Sequence, residues 1–130
     1  MSEEFKVEIV NPEKSFLSKE DVTEVVIPAF EGEMGILKDH IPLITFLKPG
    51  LIIIKDKEEK KSFVDEGTVE FVNNNLLILT SAAKNVESFE NNFVEESIKS
   101  AEEHLNNSNI SDKERYLISN KIDVLKDLRK

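Results

Sequence analysis

The sequence predicts an all-β N-terminal sandwich or barrel of short antiparallel strands over residues 1–86, followed by a C-terminal antiparallel two-helix hairpin over residues 87–130. Three observations predict it. As far as Thr80 the apolar residues come in short runs, several alternating with polar residues at the period of a half-buried strand. Turn residues separate these runs at close intervals, as in small β-sandwiches and barrels. From Val86 onward glycine and proline disappear, and the apolar residues move to helical spacing.

Phe5, Val7 and Ile9 alternate with Lys6 and Glu8, and Asn11–Pro12 ends this first strand. Val22 to Ile27 reads as a second strand, stopped by Pro28. Next comes Glu31 to Gly50, EGEMGILKDHIPLITFLKPG, with three of the four glycines and two of the four prolines. Glycine permits positive φ and proline fixes φ near about −65°, so this spacing forces turns around short apolar pieces. Met34 to Leu37 and Leu43 to Leu47 are therefore brief strands joined by compact turns. Leu51 to Ile54 is unbroken and rich in β-branched residues, which suits a strand covered on both faces. The charged run Lys55 to Lys61 reads as a solvated hairpin tip leading to a strand at Ser62 to Asp65. Val69 and Phe71 alternate with Thr68 and Glu70, and Asn73–Asn75 turns the chain, because asparagine tolerates the left-handed conformation. Leu76 to Thr80 closes the series.

Val94, Ile98, Ala101 and Leu105 form one stripe of a first helix, with Asn92 and Glu95 expected at its start. Asn106–Asn109 is a polar break. Ser111 and Glu114 match a capping box, in which each side chain satisfies a free backbone N–H of the other residue. Ile118, Ile122 and Leu125 form the main stripe of the second helix, widened by Leu117, Val124 and Leu128. The first helix region is acidic, with Glu90, Glu95, Glu96, Glu102 and Glu103 against Lys99. The second adds Lys113, Arg115, Lys121, Lys126, Arg129 and Lys130 against four acids. Such narrow apolar stripes cannot offset the entropy of ordering the pair, so the hairpin has to dock on the sandwich or on a partner.

A net charge of −9 argues against nucleic acid and against electrostatic attachment to anionic lipid. The chain has no cysteine, hence no disulfide, thiolate nucleophile or zinc–thiolate site. Its longest apolar runs, Leu51 to Ile54 and Leu76 to Leu79, are far short of the ~20 residues that span a bilayer, so no direct membrane insertion is expected. The first residues carry neither a basic segment nor an apolar one of the kind found in leader peptides. Glu31 and Glu33 flank a glycine, but acid–base catalysis needs carboxylates placed across a cleft. His40 and His104 show no metal-ligand spacing, and no phosphate-binding or nucleophile-elbow motif occurs. No catalytic or metal-binding constellation is expected.

Glu31, Gly32, Glu33, Gly35, Ile36, His40, Pro42, Thr45, Leu47, Pro49 and Gly50 resemble the signature region of the epsilon subunit of rotary F-type ATP synthases. Val7 to Pro12 resembles that family's first strand and turn, and Gly67 to Val72 with Leu76 to Leu79 and Ala83 resembles its last hairpin. The resemblance implies a non-catalytic rotor subunit of a proton-translocating complex. Its β-domain would clamp the gamma subunit and sit on the ring of c subunits, coupling ring rotation to the catalytic head. It implies that Glu31, Gly32, Glu33, Met34 and Gly35 face the polar loops of the ring, and that His40, Ile41 and Pro42 lie near gamma. The helices would fold on the sandwich or extend toward the alpha and beta subunits, restraining ATP hydrolysis. In the extended case Arg115, Lys121, Lys126 and Arg129 are the candidates for contact. The implied location is peripheral, on the cytoplasmic face of a bacterial inner membrane.

Some family members bind ATP through an Ile/Leu-Asp-x-x-Arg-Ala motif on the hairpin. The nearest counterpart, Phe93 to Ile98, lacks both the Asp and the Arg, so ATP binding is argued against and no cofactor is expected. Two other classes remain as alternatives. A free-standing ligand-binding β-module with a helical tail would display aromatic platforms, yet the chain has no Trp and one Tyr, Tyr116. A hydrolase built on Glu31 and Glu33 would lose its activity when both become Gln.

Overall fold

The computed structural model describes residues 4–12, 15–89, 92–107 and 109–128. Its strands are β1 (Phe5–Val10), β2 (Ser15–Val22), β3 (Glu24–Ala29), β4 (Gly32–Leu37), β5 (Leu43–Leu47), β6 (Gly50–Lys55), β7 (Glu59–Val64), β8 (Gly67–Val72), β9 (Asn75–Thr80) and β10 (Ala83–Asn85). They form one sheet in the order β10-β7-β6-β3-β5-β8-β9-β1-β2, with β4 paired to β3. Folded on itself, the sheet encloses a core built from alternate residues: Val7 and Ile9, Val25 and Ile27, Ile52 and Ile54, Val69 and Phe71, Leu76 and Ile78. Phe5 closes one end, edge-on to Phe71 with ring centroids 5.6 Å apart.

Five local features differ from the sequence expectation, the first being β10, a three-residue strand beyond the expected last one. Ser15–Val22 is a strand that hydropathy does not reveal. It lies at the end of the sheet order, pairs with β1 through two register shifts, and needs few apolar residues. The chain bends at Thr23, so the strand expected from Val22 to Ile27 is two strands. Pro28 does not stop β3 but sits buried within it, paired with Glu33. Proline is tolerated there because β6 pairs with β3 only at Glu24–Val26 and β5 only at Ala29, so no ladder bond from its nitrogen is missing. Finally, β1 runs parallel to β9 within an otherwise antiparallel sheet.

The charged tip lies where expected, but part of it is strand: Lys55 pairs with Glu59, and Asp56–Glu58 make the turn. This tip meets the β2–β3 bend. The Thr23 N–H donates to the Lys55 carbonyl at 2.8 Å, and Lys19 Nζ lies 2.6 Å from Asp56 Oδ2. Hydrogen bonding to Asp56 raises the Lys19 pKa, and Lys19 with the Glu58 N–H lowers that of Asp56. The pair therefore stabilises the fold above the ordinary carboxylate pKa, near about 4, and loses that contribution as pH falls through Asp56's depressed value. At the alkaline end it persists below the ordinary lysine pKa of about 10.4 and is lost as pH rises through the raised one. Lys19→Met should lower the thermal midpoint at neutral pH, with the gap to wild type closing in acid. A gap that stays constant down to about pH 2 contradicts this account.

The helices are α1 (Phe93–Leu105) and α2 (Asp112–Leu128). The capping box of α2 forms as expected: Ser111 Oγ accepts the Glu114 N–H at 3.1 Å, and Glu114 Oε1 accepts the Ser111 N–H at 3.4 Å. Asn92, by contrast, makes no side-chain cap. Its φ of −103° and ψ of 1° depart from the extended cap geometry, and only its carbonyl serves the helix, accepting the Glu96 N–H at 2.9 Å. Leu117 rather than Ile118 joins Ile122 and Leu125 as buried, because Ile118 lines the open groove between the helices.

The hairpin docks on the outer faces of β6 and β7. Phe63, Ile98 and Leu125 are buried there, with Leu51, Phe89, Val94, Val124 and Leu128 packed around them. Leu51, on an apolar strand, thus finds the outside cover its sequence calls for. Lys121 Nζ donates to Asp65 Oδ2 at 2.9 Å, and Lys84 Nζ stands 4.8 Å from the centre of the Phe93 ring.

Candidate partner-binding surfaces

The two groups of candidate residues lie at opposite ends of β4. At one end, Phe30 and Glu31 turn the chain between Ala29 and Gly32, whose φ of 128° is strained for any residue with a Cβ. Glu31 and Glu33 are both exposed, and the β7–β8 connection lies at the same end. At the other end, the loop after Leu37 is fastened to the β8–β9 hairpin. The Asp39 N–H donates to Asn74 Oδ1 at 2.7 Å, and Asn74 Nδ2 donates to Asp39 Oδ1 at 2.9 Å. Asn73 and Asn74 both have positive φ, at 51° and 60°, as a two-residue hairpin turn requires. His40 is engaged within the chain: its Nδ1 lies 2.8 Å from the Ile41 carbonyl, and its ring meets Phe71 edge-on. The strand between Glu31 and the His40 loop is six residues long, roughly 20 Å, so the Glu31 turn and that loop lie at opposite ends of it.

Sequence reasoning missed the surface between them. On the outer face of β5, β8 and β9, Ile44 pairs with Glu70, which pairs in turn with Leu77, and Phe46 pairs with Thr68, which pairs in turn with Leu79. Ile44 is 77% exposed, Phe46 61% and Leu79 45%. Ile41, 75% exposed, continues this apolar strip into the loop. Beside it an open groove of about 490 Å³ is floored by Val72 and Leu77 and flanked by Lys6, Glu8 and Glu70. The signal was present in the sequence. Leu43–Leu47 and Leu76–Leu79 are apolar at nearly every position, and a strand apolar on both sides is built to be covered on both sides. Unlike the equivalent face of β6 and β7, this one has no hairpin upon it. An uncovered apolar strip of this kind, rimmed by charge, is a candidate surface for a protein partner.

The cationic candidates are largely engaged within the chain. Arg115 Nη1 donates to the Leu105 carbonyl at 3.1 Å, completing the end of α1, and Lys121 holds Asp65. Lys126 is exposed. Arg129, like Glu90, lies outside the described residues. A cleft of about 240 Å³ between hairpin and sheet is lined by Lys84, Lys121 and Phe93, but both ammonium groups already have partners there. Among the described residues no three His, Asp or Glu side chains group to hold a metal. Nor is any helix among them long and apolar enough to cross a membrane.

Comparison with known proteins agrees with this architecture. The family model described as ATP synthase, Delta/Epsilon chain, beta-sandwich domain matches residues 4–86. The ATP synthase epsilon chain of Pelagibacter ubique (strain HTCC1062) is 61% identical over 129 residues, covering 98% of this chain and 99% of that one. The mitochondrial ATP synthase subunit delta of Schizosaccharomyces pombe is 36% identical over 110 residues, covering 82% of this chain and 66% of that one. Among solved structures, a chain of the Euglena gracilis mitochondrial ATP synthase, OSCP/F1/c-ring assembly, superposes with a TM-score of 0.74 at 17% identity. That match covers 98% of this chain and 81% of the other. A chain of the Tetrahymena thermophila mitochondrial ATP synthase central stalk and c-ring gives 0.69 at 12% identity, covering 99% and 98%. At these identities the two structures speak for the fold.

Proposed function

The chain belongs to the delta/epsilon chain family of ATP synthases, and on that premise we propose that it is a non-catalytic rotor subunit of the central stalk. Its β-domain, residues 1–86, binds the gamma subunit and the c-ring, and residues 87–130 form a separable regulatory hairpin. The observation that carries this reading is the asymmetry of the sandwich: one outer face is covered by the chain's own helices, while the other presents Ile44, Phe46 and Leu79 to a partner. Gamma occupies that face and reaches Ile41 and Pro42. The His40 ring stays turned to Phe71 and shapes the loop. The Glu31–Gly35 hairpin points its two carboxylates at the ring loops, setting register more than affinity. Location follows from the complex: the chain is peripheral, held at the cytoplasmic face of a bacterial inner membrane through gamma and the proton-driven ring.

The hairpin restrains ATP hydrolysis when it leaves the sandwich for the alpha and beta subunits. Release frees Lys121 from Asp65 and exposes Phe63 and Leu51, so the docked form is the resting one. Two partners each still in contact with solvent make the Lys121–Asp65 pair a weak latch, of about 1 kcal/mol or less. Ending the chain after residue 87 should raise the ATP hydrolysis rate of the reassembled complex. An unchanged rate in every nucleotide condition contradicts the restraining role.

A further inference from the structure

One aromatic ring at the β3–β4 turn faces two ways. Phe30 stands edge-on to Phe46, with ring centroids 6.4 Å apart, and tilted against Tyr116, with centroids 6.2 Å apart. Its N–H also donates to the Phe46 carbonyl at 3.2 Å, tying the turn to β5. Phe46 belongs to the open sheet face, whereas Tyr116, 45% exposed, lies near the start of α2. Three rings thus run from the partner-binding face, over the turn, onto the hairpin. The other ties described between hairpin and sheet involve Leu51, Phe63, Asp65 and Lys84, none of which belongs to that face.

We propose that Phe30 couples the two surfaces: a protein seated on Phe46 stabilises the docked hairpin, and the docked hairpin raises the affinity for that protein by the same factor. Uncovered, the Phe46 ring is 61% exposed, with the Phe30 ring beside it. A partner seated on Phe46 holds that ring against Phe30, which leaves Phe30 less freedom and gives Tyr116 a more ordered ring to pack on. Linkage requires the effect to be reciprocal. A pair of such ring contacts supports a factor of about five. The proposal rests on the reading that gamma occupies the open face, and it adds a consequence for the hairpin that gamma binding alone does not require.

Backbone hydrogen exchange of α1 and α2, measured on the full chain free and saturated with gamma, tests it. In the wild type, gamma should slow hairpin exchange about fivefold. In Phe30→Leu and Tyr116→Ala, gamma should still bind while hairpin exchange stays at its free rate. Tyr116→Ala changes an exposed helical position and keeps the test valid if Phe30→Leu disturbs the turn. Unchanged or faster exchange in the wild type, or equal slowing in Tyr116→Ala, overturns the coupling while leaving the gamma reading intact. Failure of gamma to bind the wild-type chain overturns both.

Discussion

Replacing Gly67 by alanine is expected to destabilise the fold by about 3 kcal/mol or more, enough to consume much of a small domain's stability. Gly67 opens β8 opposite Thr80 of β9 and Leu47 of β5. A Cβ there would collide with the Leu79 carbonyl oxygen and stand 2.9 Å from Thr80 Cα and 3.0 Å from the Leu79 carbonyl carbon. All three are main-chain atoms of a paired strand, so relief requires β8 and β9 to separate at the end of their ladder. Gly35→Ala is the matched control. Its Cβ meets only Glu24 Oε2, at 3.2 Å, and a side-chain carboxylate at a partly exposed position can swing away. Urea denaturation of the two variants at constant slope checks the contrast. A Gly67→Ala midpoint matching that of Gly35→Ala would mean that the β8–β9 ladder is looser than the structure shows.

The second large effect is on binding. Ile44→Glu should weaken the affinity for gamma at least ~30-fold, about 2 kcal/mol, because it sets a charge at the centre of an apolar contact. Ile44 is so exposed that folding should be unaffected, which an unchanged thermal midpoint would verify. Glu31→Gln provides the complementary measurement. It lies at the end of the sandwich beyond Gly32, away from the Lys38–Pro42 loop, and should leave gamma affinity within about twofold. Equal losses in both variants would show that the open face and the Glu31 turn serve one partner.

Much of the fold was legible because local chemistry and burial agree. Phe5, Val7 and Ile9 alternate and are buried; Asn73 and Asn74 supply the positive φ of a hairpin; Ser111 and Glu114 form their capping box. The misses have physical causes. β2 is an edge strand held by backbone pairing, so its hydropathy carries no period, and β10 has three residues, too few to show one. Pro28 reads as a stop only if both neighbours of a strand are assumed to need its N–H. Leu117 replaces Ile118 in the buried stripe because α2 packs on the sheet as well as on α1, and no single helix shows where that second contact falls. The Glu31–Gly35 turn and the His40 loop were visible as motifs. The two-sided apolar character of Leu43–Leu47 and Leu76–Leu79 was visible as well, but not that these strands flank β8 on one open face, because that adjacency is a property of the sheet order.

Titration calorimetry of the folded full-length chain with isolated gamma subunit tests the central claim most directly, since the claim is that the uncovered face of β5, β8 and β9 is an interface. The expected result is a saturable one-to-one complex with a negative heat-capacity change from apolar burial, lost in Ile44→Glu. A folded chain that releases no binding heat at any temperature tried, or binds gamma equally well with glutamate at position 44, would contradict it.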